Sequence, residues 1–114
     1  MKNKICYYTT YGLKIAALKH AGEMGIENSA FANLAINKFL KGDQEINPEF
    51  LIKKRTDPDY VARDQMDQII IPEETKAKLQ EVAKRYKCSM AIIVFQAMYD
   101  MCFEIEINSG RVQL

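Results

Sequence analysis

Three cysteines, Cys6, Cys88 and Cys102, and one histidine, His20, are the side chains in this 114-residue sequence best suited to nucleophilic or metal chemistry. Their spacing serves neither. The thiols form no CxxC pair, and three of them with a single imidazole do not make a zinc set. An odd number of widely separated cysteines reads as reduced thiols in a cytoplasmic protein. Cys88 lies beside Lys84, Arg85 and Lys87, cations that would lower a thiol pKa. Its alternative is a small buried hydrophobe. His20 sits among Ala16, Ala17 and Ala21, the setting of a packed or surface histidine. Carboxylates pair at Glu73-Glu74 and at Glu104 and Glu106, but the first pair follows Pro72, where a helix should begin and acidic residues suit its dipole. GxGxxG, P-loop, GxSxG and HExxH patterns are all absent. The expectation is a protein that is not an enzyme and needs no metal or cofactor.

Apolar side chains make up 48% of the chain, a globular proportion, and 16 basic residues nearly balance 15 acidic ones, for a net charge of +1. That balance excludes a strongly basic chromatin-type protein. Charge is uneven along the chain: residues 1–40 hold 5 basic and 2 acidic side chains, 41–66 hold 5 and 6, and 67–114 hold 6 and 7. No apolar run reaches the roughly 18–20 residues that cross a bilayer, and the polar start before Ile5-Cys6-Tyr7-Tyr8 does not read as a signal peptide.

The elements are clearest in residues 67–103. Gln68-Ile69-Ile70-Ile71 is a short β-branched run closed by Pro72, a strand end and helix start. Leu79, Val82, Ala83 and Tyr86 are spaced for one face of a helix over 73–86. Ser89 is placed to cap a further helix over 90–103 that is apolar on nearly all sides and must therefore be enclosed by protein. A unit of 37 residues cannot enclose it alone, so a partner of similar shape is needed. Residues 1–40 supply one: a strand over 4–10, a helix over 13–24 ended by Gly25, and a second helix over 28–40 with Asn28 or Ser29 as its cap. One offset of 62 aligns Gly25 with Lys87, Tyr7 with Ile69 and His20 with Val82. Residues 41–66 read as a polar linker with one or two short helices starting at Asn47-Pro48-Glu49 and Asp57-Pro58-Asp59. Residues 104–114 alternate and then turn at Asn108-Ser109-Gly110, which predicts a small terminal hairpin.

This order and spacing resembles the ribbon-helix-helix fold of the MetJ/Arc class. The likeness is carried by Ile69-x-Ile71-Pro72-Glu73-Glu74, by Leu79-x-x-Val82-Ala83, and by Lys87-x-Ser89-x-Ala91-x-Ile93-Val94-x-x-Ala97-Met98. The first unit matches mainly at Gly25 and over 29–40. Two units in one chain resemble the tandem version found in some conjugative-plasmid accessory proteins. The resemblance implies a mainly α fold with a short two-stranded antiparallel ribbon, arranged as a tandem ribbon-helix-helix pseudo-dimer. The all-round apolar second helices would pack against each other at its centre.

In that family the ribbon enters the major groove of double-stranded DNA and its solvent face reads bases. With Ile5, Tyr7, Thr9, Ile69 and Ile71 turned inward, Lys4, Cys6, Tyr8, Met66, Gln68 and Ile70 point outward. Lys4, Tyr8, Gln68 and Ile70 are the expected base contacts, Lys4 suiting guanine and Gln68 adenine. Asn28, Ser29, Lys87 and Ser89, at the second-helix starts, are the positions the family uses for phosphate. The two halves differ, so the DNA site is expected to be asymmetric. The implied role is transcription regulation or plasmid and mobile-element transfer (conjugation), in a monomer acting as a pseudo-dimer. The alternative is an antitoxin-like protein-interaction module that keeps the fold without DNA binding, favoured by the apolar Cys6, Met66 and Ile70.

Overall fold

The structure, a computed structural model, describes residues 2–110. Strand β1 (Lys2–Thr9) leads into helices α1 (Tyr11–Met24) and α2 (Asn28–Lys41). A 3-10 turn at Pro48–Leu51 follows, then strand β2 (Gln65–Pro72) and helices α3 (Glu73–Tyr86) and α4 (Met90–Asn108). The strands form one two-stranded antiparallel sheet, with Ile5 opposite Ile69 and Cys6 opposite Gln68. A two-stranded ribbon followed in each half by two helices is compatible with a ribbon-helix-helix arrangement.

Local chemistry places the boundaries. Thr10 is extended and its side-chain oxygen accepts from the Leu13 N–H, so α1 starts two residues earlier than its apolar pattern alone indicates. Gly25 ends α1 at φ 71°, a left-handed conformation that glycine adopts without steric cost. Lys87 ends α3 at φ 55° in the same conformation, although it carries a Cβ. Both ends close alike: the Ile26 N–H reaches the Ala21 carbonyl and the Cys88 N–H reaches that of Ala83, each at 3.0 Å.

The sheet buries one face. Ile5, Tyr7 and Thr9 of β1 and Ile69 and Ile71 of β2 lie beneath it, against Phe31, Ala32, Ala35 and Ile36 of α2 and Ile93, Val94, Ala97 and Met98 of α4. No other pair of helices packs as extensively as α2 and α4. Each fully buried Ile or Phe side chain contributes about 1.5–3 kcal/mol relative to exposure. One cluster spans both halves, so neither can keep its core without the other.

Three expectations are corrected. Residues 104–108 continue α4 instead of opening a hairpin. The helical path sets Ile105 one turn beyond Met101 on the core side and brings Glu106 Oε1 to 2.8 Å from His20 Nε2, contacts an alternating strand would lose. The return strand proposed for residues 111–114 lies outside the described residues. The Asp57-Pro58-Asp59 segment makes only a turn, closed by the Asp59 and Tyr60 N–H groups on Asp57, whereas Asn47 does cap the 3-10 turn through the Glu49 N–H. Phe50 of that turn is buried edge-on against Phe95 and Tyr99. Finally, Glu27 holds the cap position of α2, and Asn28 and Ser29 lie inside the helix. Their side chains are drawn to β2 instead.

Candidate nucleic-acid interface

Period-two alternation sorts the ribbon into two faces, and the side-chain directions agree with those expected from the sequence. Lys4, Cys6 and Tyr8 of β1 and Met66, Gln68 and Ile70 of β2 are exposed, while Ile5, Tyr7, Thr9, Ile69 and Ile71 are buried. The register sets Lys4 beside Ile70, Cys6 beside Gln68 and Tyr8 beside Met66. Strand β2 starts at Gln65, two residues inside the stretch read as linker, which is what brings Met66 onto the ribbon. All four expected base-contact residues therefore share one face.

The outer edge of β2 is fixed from α2. Ile70 gives its N–H to Ser29 Oγ at 3.3 Å and its carbonyl accepts from Asn33 Nδ2 at 2.8 Å. With both backbone groups turned to α2, Ile70 and Lys4 form a non-hydrogen-bonded pair, the kind in which opposed side chains stand closest. Because strand residues alternate in this respect, Cys6 with Gln68 and Tyr8 with Met66 are pairs of the same kind. Lys14 Nζ reaches the Met66 carbonyl at 3.3 Å, adding a cation at that edge.

Charge on the outward face is one-sided. Lys2 and Lys4 are exposed there, and none of the outward side chains from Lys2 through Tyr8 and Met66 through Ile70 is acidic. Asp67 turns the other way, to accept from Asn28 Nδ2 at 3.1 Å. From beneath the sheet it adds to the effect of burial, the larger cause, in pushing the Tyr7 phenol far above its usual pKa. At one end of the ribbon Asn3 Nδ2 donates to Glu73 at 3.4 Å, and at the other Asp64 lines the cleft beside Tyr8.

The four expected phosphate positions separate into two settings. Ser89 caps α4 by accepting from the Ile92 N–H, and Ser89 and Lys87 are both exposed. Beside them is a cleft of about 630 Å³ whose lining includes Tyr8, Arg55, Tyr60, Arg63, Asp64 and Ser89. Arg63 is held rigidly there: it donates to the Phe50 carbonyl at 3.2 Å and lies over the Phe95 ring at 5.4 Å. Nothing in its polar neighbourhood singled it out in the sequence. Asn28 and Ser29, by contrast, already bond to β2, with Glu27 next to them.

Cys88, the thiol set among lysines, is not activated. Burial raises its pKa, only partly opposed by Lys53. Cys102 is pushed up to about 12, mainly by burial and secondarily by the Glu106 charge. His20 is buried in α1, stacked on Phe31 and paired with Glu106. Among the described residues no single helix is long and apolar enough to cross a membrane.

No family model, curated protein or solved structure matches this chain.

Proposed function

We propose that this chain is a single-chain tandem ribbon-helix-helix protein, a pseudo-dimer of residues 1–40 and 67–103 about one core. Its ribbon would bind double-stranded DNA by entering the major groove, with second-helix N-termini on the flanking phosphates. The reading is supported by the 62-residue spacing that relates α1 to α3 and the start of α2 to that of α4. It is carried by one observation: the antiparallel register gathers Lys4, Tyr8, Gln68 and Ile70 on a solvent face with no carboxylate. A two-stranded ribbon fits the major groove, which is about 12 Å wide. Lys4 donates to guanine acceptors and Gln68 presents the amide pair that matches adenine. Ser89, Lys87 and the neighbouring Arg55 and Arg63 supply phosphate contacts at α4, while Asn28 and Ser29 would offer theirs through backbone N–H groups. The role would be transcriptional regulation or accessory work in plasmid or mobile-element transfer.

The second reading is an antitoxin-like protein-interaction module without DNA binding, favoured by the exposure of Tyr8 (55%), Met66 (49%) and Ile70 (45%). A salt titration of binding to random duplex DNA separates the two. Groove binding should weaken with a slope of about −0.9 in log K per phosphate contact. Lys4→Ala and Gln68→Ala should each cost about 1–3 kcal/mol of specific affinity per lost base contact. Absence of any association at low salt would retire the DNA reading in favour of the second.

A further inference from the structure

The outward face of the ribbon is less polar than hydrogen-bond readout alone requires. Three of its side chains, Tyr8, Met66 and Ile70, are large, apolar and roughly half exposed. Two of them, Ile70 and Met66, are tied at the outer edge of β2 by hydrogen bonds to their backbone groups. Ile70 is held through Ser29 and Asn33, and Met66 through Lys14. Tyr8 and Met66 oppose each other and make one apolar spot, while Ile70 beside Lys4 makes a second. Gln68 lies between them. At about 3.3 Å per residue, Met66 and Ile70 stand roughly 13 Å apart, close to four base-pair steps of about 3.4 Å.

The major groove offers one apolar group that fits such spots, the C5-methyl of thymine. G·C pairs carry none. We propose that the ribbon reads a thymine-containing A·T core, with Ile70 and the Tyr8–Met66 pair in contact with thymine methyls and Gln68 on an adenine between them. Lys2 and Lys4, on the same carboxylate-free face, match the negative potential of the duplex. The apolar residues then serve as part of the readout. This inference rests on the DNA-binding reading above and specifies the sequence class it recognises.

The test replaces thymine with uracil, which deletes the methyl and keeps every Watson–Crick and groove hydrogen bond. A duplex is first enriched from a random-core library with the full chain, and its affinity is then measured with thymine and with uracil in the core. Burial of one methyl is worth about 0.8 kcal/mol, so each contacted thymine should cost roughly fourfold in Kd when replaced. Ile70→Ala, an exposed change whose folding is checked by its melting curve, should erase the thymine–uracil difference at one position and leave it at the other. Equal affinity of the native chain for the two duplexes, with binding otherwise intact, overturns the methyl contacts and leaves DNA binding standing. Failure to bind or enrich any duplex at low salt overturns both.

Discussion

The N-termini of α2 and α4 sit at corresponding places in the two halves and are held by different chemistry. At α2 the backbone cap is Glu27, which makes no side-chain cap bond, and Asn28, Ser29 and Asn33 reach across to Asp67 and to both backbone groups of Ile70. At α4, Ser89 caps its own helix, and the segment carrying Arg55 and Arg63 lines the space beside Tyr8 of β1. One strand is thus bolted to a helix, and the other faces a cleft lined by Arg55, Arg63 and Asp64. The contrast shows how a common strand-helix-helix path can be specialised by a few polar side chains. The first half directs its polar side chains onto β2, and the second leaves Lys87 and the capping Ser89 exposed.

The strongest way to break this comparison is to remove the core the halves share. Phe31→Ala in α2 is expected to lose about 3–5 kcal/mol and Ile93→Ala in α4 about 2–5 kcal/mol, both being fully buried. Denaturant melts followed by helix signal and by tyrosine fluorescence should stay coincident in both variants. Two separated transitions would show that the halves fold independently.

Alkaline pH probes a second difference, because Tyr7 carries a phenol where the spacing sets Ile69 in the other half. The phenol and the Cys102 thiol are acids whose pKa values are raised in the folded protein, chiefly by burial. Folding therefore favours their protonated forms, and that stability is complete below the unfolded values of 9.0 and 10.0. It is lost as pH rises from there through about 12, where the folded thiol titrates. The melting temperature should fall across this range, and Tyr7→Phe should flatten the fall while leaving neutral-pH stability little changed. An unaltered alkaline profile in Tyr7→Phe would place the loss elsewhere.

A smaller and sign-reversed pair sharpens the comparison at the helix ends. Gly25→Ala forces a Cβ into a left-handed position and should destabilise by about 1 kcal/mol. Lys87→Gly relieves the same conformation in α3 and should stabilise by up to about 1 kcal/mol. Equal effects of one sign, read from chemical denaturation, would mean the two ends are not equivalent.

Most of the architecture was legible because it depends on periodicity. The inward Ile5, Tyr7, Ile69 and Ile71, the all-round apolar α4 and the capping Ser89 are short-range patterns with a physical reason. What escaped depends on contacts distant in sequence. The Glu104-Ile105-Glu106-Ile107 alternation mimics a strand, and the pairing of Glu106 with His20 and of Glu104 with Lys38 favours the helical continuation. Asn28 and Ser29 have ideal capping chemistry, yet better acceptors and donors on β2 claim them. Arg63 belongs to the candidate interface through its place over Phe95, a placement no local pattern encodes.

The most direct measurement is an amide-resolved NMR titration of the full chain with a short duplex at low salt. The expected result is that shifts concentrate at Lys4, Cys6, Tyr8, Met66, Gln68 and Ile70 and at the first turn of α4, with the outer face of α3 unmoved. Perturbations confined to helix faces away from the ribbon, with those six amides unchanged, would contradict the assignment of the ribbon as the DNA-reading surface.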